Sequence, residues 1–322
     1  MSDTVSAPSA TADPGGRFDL SASSSRWGER AVVGWLFLCA AFSVLVTFGI
    51  VVSLGGPAWD FFRDVSVIEF LQAGTWAPRQ GEFDVLNLLV GTLNVTMYAL
   101  LIAIPGGFGA AVWLSEYAGP RSRRIVKPVL EVLEGVPTVA YGLFAYLFIT
   151  PILQDVWPTF LPDPFGEQPG IFSAGSAGLV MGVMLIPTIA SVAQDAMQSV
   201  PSGLREAAYG LGSTKSQVAL KVVVPAALSG IMAAFILGIS RGIGETMLVL
   251  IAAGASPNLT LLPNESVQTM TAFIARTATG DISTGTLDYN VIFAVGALLF
   301  VLTLIMNLIS IRLVHRFRER YE

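Results

Sequence analysis

Six stretches of about 20 or more mostly apolar residues run through this chain, near 31–54, 86–114, 132–150, 176–194, 226–254 and 291–313. Segments of that length match the roughly 30 Å of a bilayer's hydrocarbon core. In lipid every backbone N–H and C=O must be satisfied within the protein, so such segments can only be helices. The expected fold is therefore all-α, a polytopic membrane protein with six transmembrane helices. Charge agrees: 13% of residues are charged, against about a quarter in soluble domains. Several spans are interrupted, at Pro105-Gly106-Gly107, Pro137, Pro187 and Gly242-Ile243-Gly244. Such breaks are tolerated where neighbours or a cavity satisfy the freed groups.

The first span is longer than the 7–15-residue apolar core of a cleavable signal and is expected to stay in place behind a disordered tail, 1–30. The membrane domain is expected over 31–313, with a basic C-terminus at 314–322. Cys39 is the single cysteine and His315 the single histidine, so neither an intramolecular disulfide nor a Cys or His metal cluster is expected.

Positive residues of short loops stay on the cytoplasmic side. Arg17, Arg26 and Arg30, the run Arg121, Arg123, Arg124 and Lys127, then Arg205, Lys215 and Lys221, and finally Arg312, Arg316, Arg318 and Arg320 all fall on one side. The opposite loops hold Arg63, Arg79 and Arg276. Both termini and the 199–225 loop are thus expected in the cytoplasm. The outer loops carry eleven acids against those three arginines. Such a face repels a free anion, so an anionic cargo would need a carrier protein; an acidic surface kept for solubility explains the count equally well. A net charge of −5 gives no reason to expect nucleic acid as a partner.

Between the fourth and fifth spans lies a polar segment, Glu206-Ala207-Ala208 through Gly212 to Val224-Pro225. Ser202 after Pro201 is placed to cap a first short helix, Gly212 to end it, and Thr214 with Gln217 to form a capping box for a second. Further on, Ser240-Arg241-Gly242-Ile243-Gly244-Glu245-Thr246 lies inside the fifth span. An arginine at the centre of a spanning helix costs on the order of 3 kcal/mol on insertion scales. In a continuous helix, i,i+4 spacing would set Glu245 above Arg241 on one face. Two roles fit. One is a buried ion pair locking helices; the other is a guanidinium fork offered to an oxyanion in transit, with Glu245 as its resting partner.

The remaining polar residues of the spans are read more plainly. Asn87, Thr92, Asn94 and Thr96 suit a pore lining and helix-to-helix hydrogen bonds equally. Thr138 and Tyr141 follow Pro137 and suit satisfying the kink better than meeting a substrate. Glu131, Glu134, Asp195 and Glu116 read as helix-end residues, and the aromatic residues around Trp59–Trp76 and Trp157–Phe172 as interfacial anchors.

The Glu206-Ala207-Ala208, Gly212 and Pro225 spacing resembles the loop by which permeases of ATP-binding-cassette (ABC) importers dock on their ATPase. The segment Ser240–Met247, Ser115-Glu116-Tyr117-Ala118 with the basic run after it, Gly135–Gly142 and Thr271-Ala272-Phe273-Ile274 are similar to the phosphate-uptake permeases of that group. Thr246-Met247 and the external Thr75-Trp76 resemble the PstC type more than its PstA partner. This implies a type I importer permease that translocates inorganic phosphate and is not itself an enzyme. Arg241, Glu245 and Thr246 would lie in the substrate path, and Glu206, Ala207, Ala208, Gly212 and Pro225 would make the ATPase docking surface. Implied partners are a second permease subunit (PstA-like), two copies of an ABC ATPase (PstB-like), an extracytoplasmic phosphate-binding protein (PstS-like) and membrane lipid, in the plasma or inner membrane. The chain itself would take no cofactor, since ATP and Mg would bind the ATPase: Gly212-Ser213-Thr214-Lys215 lacks the first glycine and the spacing of a phosphate-cradling P-loop. Alternatives are the PstA-type half, a permease for sulfate or molybdate, and a non-transporting sensor of phosphate status.

Overall fold

The computed structural model describes residues 27–316 apart from 73, 159, 161 and 284. Most of the expected tail and the end of the basic C-terminus lie outside the described residues. The chain divides into two compact units, one ending at Val52 and one starting at Ser53. The described part of the first belongs to helix α1 (Trp27–Asp64). Its side chains from Val32 to Ile50, among them Leu36, Phe37, Phe42 and Phe48, are exposed and mostly apolar, the surface a lipid-facing helix presents.

In the second unit the central pair is α3 (Leu86–Val112) and α7 (Ala174–Gln198). Small residues let the two backbones approach. A Cβ at Gly182 would lie 2.7 Å from the Ala99 carbonyl oxygen, and one at Gly178 would lie 2.5 Å from the Cβ of Tyr98. Around them sit α4 (Pro120–Glu134), α5 (Thr138–Phe144) with α6 (Thr150–Val156), the hairpin α8 (Ser202–Gly210) and α9 (Lys215–Val218), and α10 (Val224–Ala226) leading to α11 (Leu228–Ile243). The short α12 (Met247–Ala252) and α13 (Met270–Ala278) and the long α14 (Leu287–Arg316) follow. Among the described residues, five helices are long and apolar enough to cross a membrane, or six if the pair Lys215–Ala226 and Leu228–Ile243, bent by 75°, counts as one span.

Two spans depart from expectation. The third starts later: 120–134 form the separate amphipathic helix α4, on which no residue is buried, and α5 begins after Gly135-Val136-Pro137. The fifth is not one helix, since α11 ends at Ile243 and α12 starts at Met247. At 16 residues α11 is about 24 Å long at 1.5 Å per residue.

The expected interfacial aromatic residues of the first external segment instead form a small core. Phe61, Phe70 and Trp76 are buried with Phe83 and Phe273, in edge-to-face pairs such as Trp76–Phe273 at 4.9 Å. Trp59 stays exposed. Within this segment α2 (Val67–Phe70) precedes the small antiparallel hairpin of β1 (Trp76–Ala77) and β2 (Glu82–Phe83), an exception to the all-α expectation too short to alter the class.

The polar residues of α3 hold helices and loops together. Asn87 Nδ2 donates to the Gly74 and Pro257 carbonyls, and Asn94 Nδ2 to that of Thr260. The Thr92 hydroxyl accepts from the Met270 N–H, and Thr96 donates to the Thr92 carbonyl. Gly91 permits the Gln268 carbonyl to pack against α3, where any Cβ would collide with it. The 253–269 segment is thereby folded back onto the helices, with Val267–Met270 buried.

Candidate functional site

Two sites stand out, a charged cluster among the helices and an exposed hairpin. The cluster centres on Arg241, near the end of α11. Its Nη1 donates to Glu134 Oε1 at 3.1 Å and to Thr188 Oγ1 at 2.6 Å. Thr188 in turn donates to Glu134 Oε1 at 2.9 Å. Three elements therefore meet at one point: the C-terminal residue of α4, α11, and α7 one residue past Pro187. Thr188 lies 14 residues into a 25-residue helix, so the cluster sits at mid-depth. The side chains of Arg241 and Glu134 remain 29% and 38% exposed, so the pair borders accessible space.

The expected Arg241–Glu245 pair is absent. It required a continuous helix, and the helix stops at Ile243. Glu245 lies in the break, buried at 9% exposure. Its Oε1 accepts from the backbone N–H groups of Thr246 (3.1 Å) and Leu248 (3.3 Å). Those are donors that the first turn of α12 leaves without helical partners, and a carboxylate beside a helix start satisfies them well. Thr271 on α13 donates to the Glu245 carbonyl at 2.6 Å, which ties the break to the motif at 271–274. Thr246 is partly buried, its hydroxyl donating to the Gly244 carbonyl. Glu134 was read from sequence as a plain helix-end residue and Thr188 was not singled out; the available signals were a carboxylate at the entry of the third apolar span, beside Gly135-Val136-Pro137, and a hydroxyl directly after a helix proline. Tyr141 behaves as read, its hydroxyl closing the kink on the Leu133 carbonyl at 2.8 Å.

In the hairpin, Ser202 is the first helical residue and Pro201 precedes it without a side-chain cap, so the expected serine cap does not form. The other two signals hold. Gly212 adopts φ +80°, with the Gly212 N–H bonded to the Tyr209 carbonyl and the Ser213 N–H to that of Ala208, a Schellman stop. Thr214 and Gln217 form the reciprocal capping box. Glu206 and Ala207 are exposed, Ala208 is buried, and Pro225 is exposed just before the 75° bend. Tyr209 and Leu220 also face out, and Leu211 is 88% exposed.

A buried ion pair fixes the hairpin to the body. Arg205 Nη2 contacts Glu116 Oε1 at 3.1 Å, with the two side chains 20% and 6% exposed. Arg205 also donates to the carbonyls of Val200 and Met197, both at 2.7 Å. Glu116 sits on the π-helical turn Trp113–Tyr117 that ends α3 and accepts from Ser115 Oγ at 2.9 Å. Arg123 donates to the carbonyls of Leu114 and Ser115. On α4, Lys127 pairs with Asp195 at 3.2 Å. Glu116 and Asp195, read from sequence as plain helix-end residues, are thus cross-links to other elements.

Nothing lies within 4 Å of a Cβ placed on Gly212, so only its backbone conformation resists substitution. Gly212→Val is expected to cost about 1–2 kcal/mol through left-handed strain, whereas Gly212→Asn, tolerated in that region, should be nearly neutral. Thermal unfolding of the two variants checks this. Equal losses would mean that a lost contact, not φ, is responsible.

Among the described residues no group of three or more His, Cys, Asp or Glu could hold a metal ion.

Residues 103–320 match the family described as "Binding-protein-dependent transport system inner membrane component". The chain is 33% identical over 294 residues to "Phosphate transport system permease protein PstC" of Pasteurella multocida, covering 87% of this chain and 90% of that one. It is 32% identical over 275 residues to "Probable ABC transporter permease protein YqgH" of Bacillus subtilis, covering 84% and 86%. In fold it is similar to a chain in the crystal structure of a bacterial alginate ABC transporter with its pentasaccharide-bound periplasmic protein, with TM-score 0.60, 15% identity, and coverage of 90% of this chain and 98% of that one. A chain of the inward-facing MetNI methionine ABC transporter gives TM-score 0.51 at 18% identity, covering 73% and 94%. The fold is that of a type I ABC importer permease, and the protein is multi-pass in the membrane. The chain belongs to the binding-protein-dependent transport system inner membrane components.

Proposed function

We propose that this chain is one permease half of an ATP-driven importer whose cargo is inorganic phosphate. The observation that carries this reading is Arg241, a guanidinium held at mid-depth by a carboxylate and a hydroxyl in a chain whose relatives are named for phosphate transport. A planar fork of donors suits a tetrahedral oxyanion. Arg241 binds the anion in transit, and Glu245 and Thr246 shape the break beside it. The 199–225 hairpin, through Glu206, Ala207, Ala208, Gly212 and Pro225, receives the ATPase, on which ATP and Mg bind and hydrolysis occurs; this chain takes no cofactor. A second permease half completes the channel, two ATPase copies drive it, and an extracytoplasmic binding protein hands over the anion past an acidic outer face. Both termini lie in the cytoplasm, as the distribution of Lys and Arg supports.

Competition during uptake separates phosphate from sister oxyanions. Excess unlabelled phosphate should abolish uptake of labelled phosphate into cells carrying the complex, and equal sulfate or molybdate should leave it within about twofold. Equal inhibition by sulfate would reassign the cargo.

A further inference from the structure

We infer that Glu134 is a built-in substitute for the transported anion: its carboxylate occupies the place on Arg241 and Thr188 that the oxyanion takes in transit, and it must leave for cargo to bind. This rests on the reading of Arg241 as the anion's partner.

Three observations carry it. First, the chemistry of the seat is that of an oxyanion site, with one carboxylate oxygen receiving both a guanidinium N–H and a threonine hydroxyl. A phosphate oxygen accepts from the same donors in the same way. Second, Arg241 uses only Nη1 in its hydrogen bonds among the described residues. The rest of its five-donor fork is left for a second oxygen that Glu134 Oε1 does not supply. Third, Glu134 is carried on a lightly buried support, held to its neighbours by the polar contacts of Arg123 and Lys127. It is the last residue of α4, a helix with no buried residue, and it is followed by Gly135-Val136-Pro137, where the chain breaks before α5. Moving an element with so little buried surface exposes little core. By contrast, Arg241 and Thr188 sit on α11 and α7, both packed into the main core through residues such as Ile231 and Leu185.

The consequence is a competition. If Glu134 holds the seat for nine-tenths of the time, the apparent affinity for phosphate is reduced about tenfold, because only the free fraction can bind. Such a competitor prevents an empty Arg241 from standing uncompensated at membrane depth, where a lone charge is expensive. It also promotes release, since the returning carboxylate displaces cargo.

The test is equilibrium binding of radiolabelled inorganic phosphate to the assembled complex of this chain with its partner permease and ATPase, without nucleotide or binding protein. Glu134→Gln keeps size and hydrogen bonding but removes the competing charge; it should bind phosphate at least about tenfold more tightly than wild type. Glu134→Asp, with the same charge on a shorter arm, should give a smaller gain and serves if the glutamine variant fails to assemble. A Glu134 that merely locks helices predicts lower thermal stability and no gain in affinity. Variants binding no more tightly than wild type, including no binding in either, would overturn the inference. Failure of the underlying reading looks different: Arg241→Ala would then leave uptake intact whatever Glu134 does.

Discussion

Arg241→Ala is expected to reduce phosphate uptake on the order of 100-fold while the complex still assembles. Losing hydrogen bonds to a charged group removes up to about 3 kcal/mol, and each 1.4 kcal/mol is a factor of ten. Assembly should survive because Arg241 is only partly buried and its loss leaves Glu134 at 38% exposure, where water can solvate the carboxylate. Arg241→Lys discriminates between charge and shape. It keeps the positive charge but not the planar fork, so uptake should fall to an intermediate level. Uptake is read with labelled phosphate and assembly by co-purification. Normal uptake by the alanine variant would remove Arg241 from the substrate path, and loss of assembly would reassign it to helix locking.

The second large effect is expected at the base of the hairpin. Arg205→Ala removes the cation from Glu116, which at 6% exposure is left charged and unpaired in the interior, and it strips donors from the Val200 and Met197 carbonyls. Breaking one side of a buried pair costs about 3–5 kcal/mol. The cost falls where α3, α7 and α8 meet. The expected outcome is a permease that remains in the membrane but no longer retains its ATPase, with loss of stimulated ATP hydrolysis. The double variant with Glu116→Ala should be little worse than Arg205→Ala alone, because the unpaired carboxylate is gone. Strictly additive losses in that cycle would show that the pair is not the energetic unit.

Features set by local rules were legible in the sequence. The φ > 0 stop at Gly212 and the Thr214–Gln217 box each depend on residues a few positions apart, and the structure has both; most of the apolar spans are present as well, with the third starting later and the fifth broken. Arg241 was legible as an expensive charge in an apolar helix. Its partner was not. The i,i+4 spacing selected Glu245 on the assumption that a helix runs through Gly242-Ile243-Gly244, and the chain breaks there. The true partner is 107 residues away, a contact that only the packing of α4 against α7 and α11 creates. Glu134 offered no comparable signal, since it ends a charge-rich amphipathic helix where a carboxylate costs little.

The external segment failed for a related reason. Phe61, Phe70 and Trp76 have the composition of membrane-interface residues, yet Phe273, almost 200 residues further on, converts them into a core. In α3, Asn87 and Asn94 have the composition of pore-lining residues, but carbonyls from the 253–269 segment take their amides. In both cases residues far along the chain decided the outcome, Phe273 on α13 in the first and the 253–269 segment in the second.

On the proposed function, this chain conducts phosphate only when an ATPase drives it. Phosphate accumulation in sealed vesicles that contain the whole complex, with ATP on the ATPase side and the binding protein on the other, is the deciding measurement. Accumulation that needs ATP and the binding protein together, and that Arg241→Ala abolishes, is the predicted result. Phosphate accumulating without ATP, or no accumulation in a complex that binds and hydrolyses ATP normally, would contradict the account.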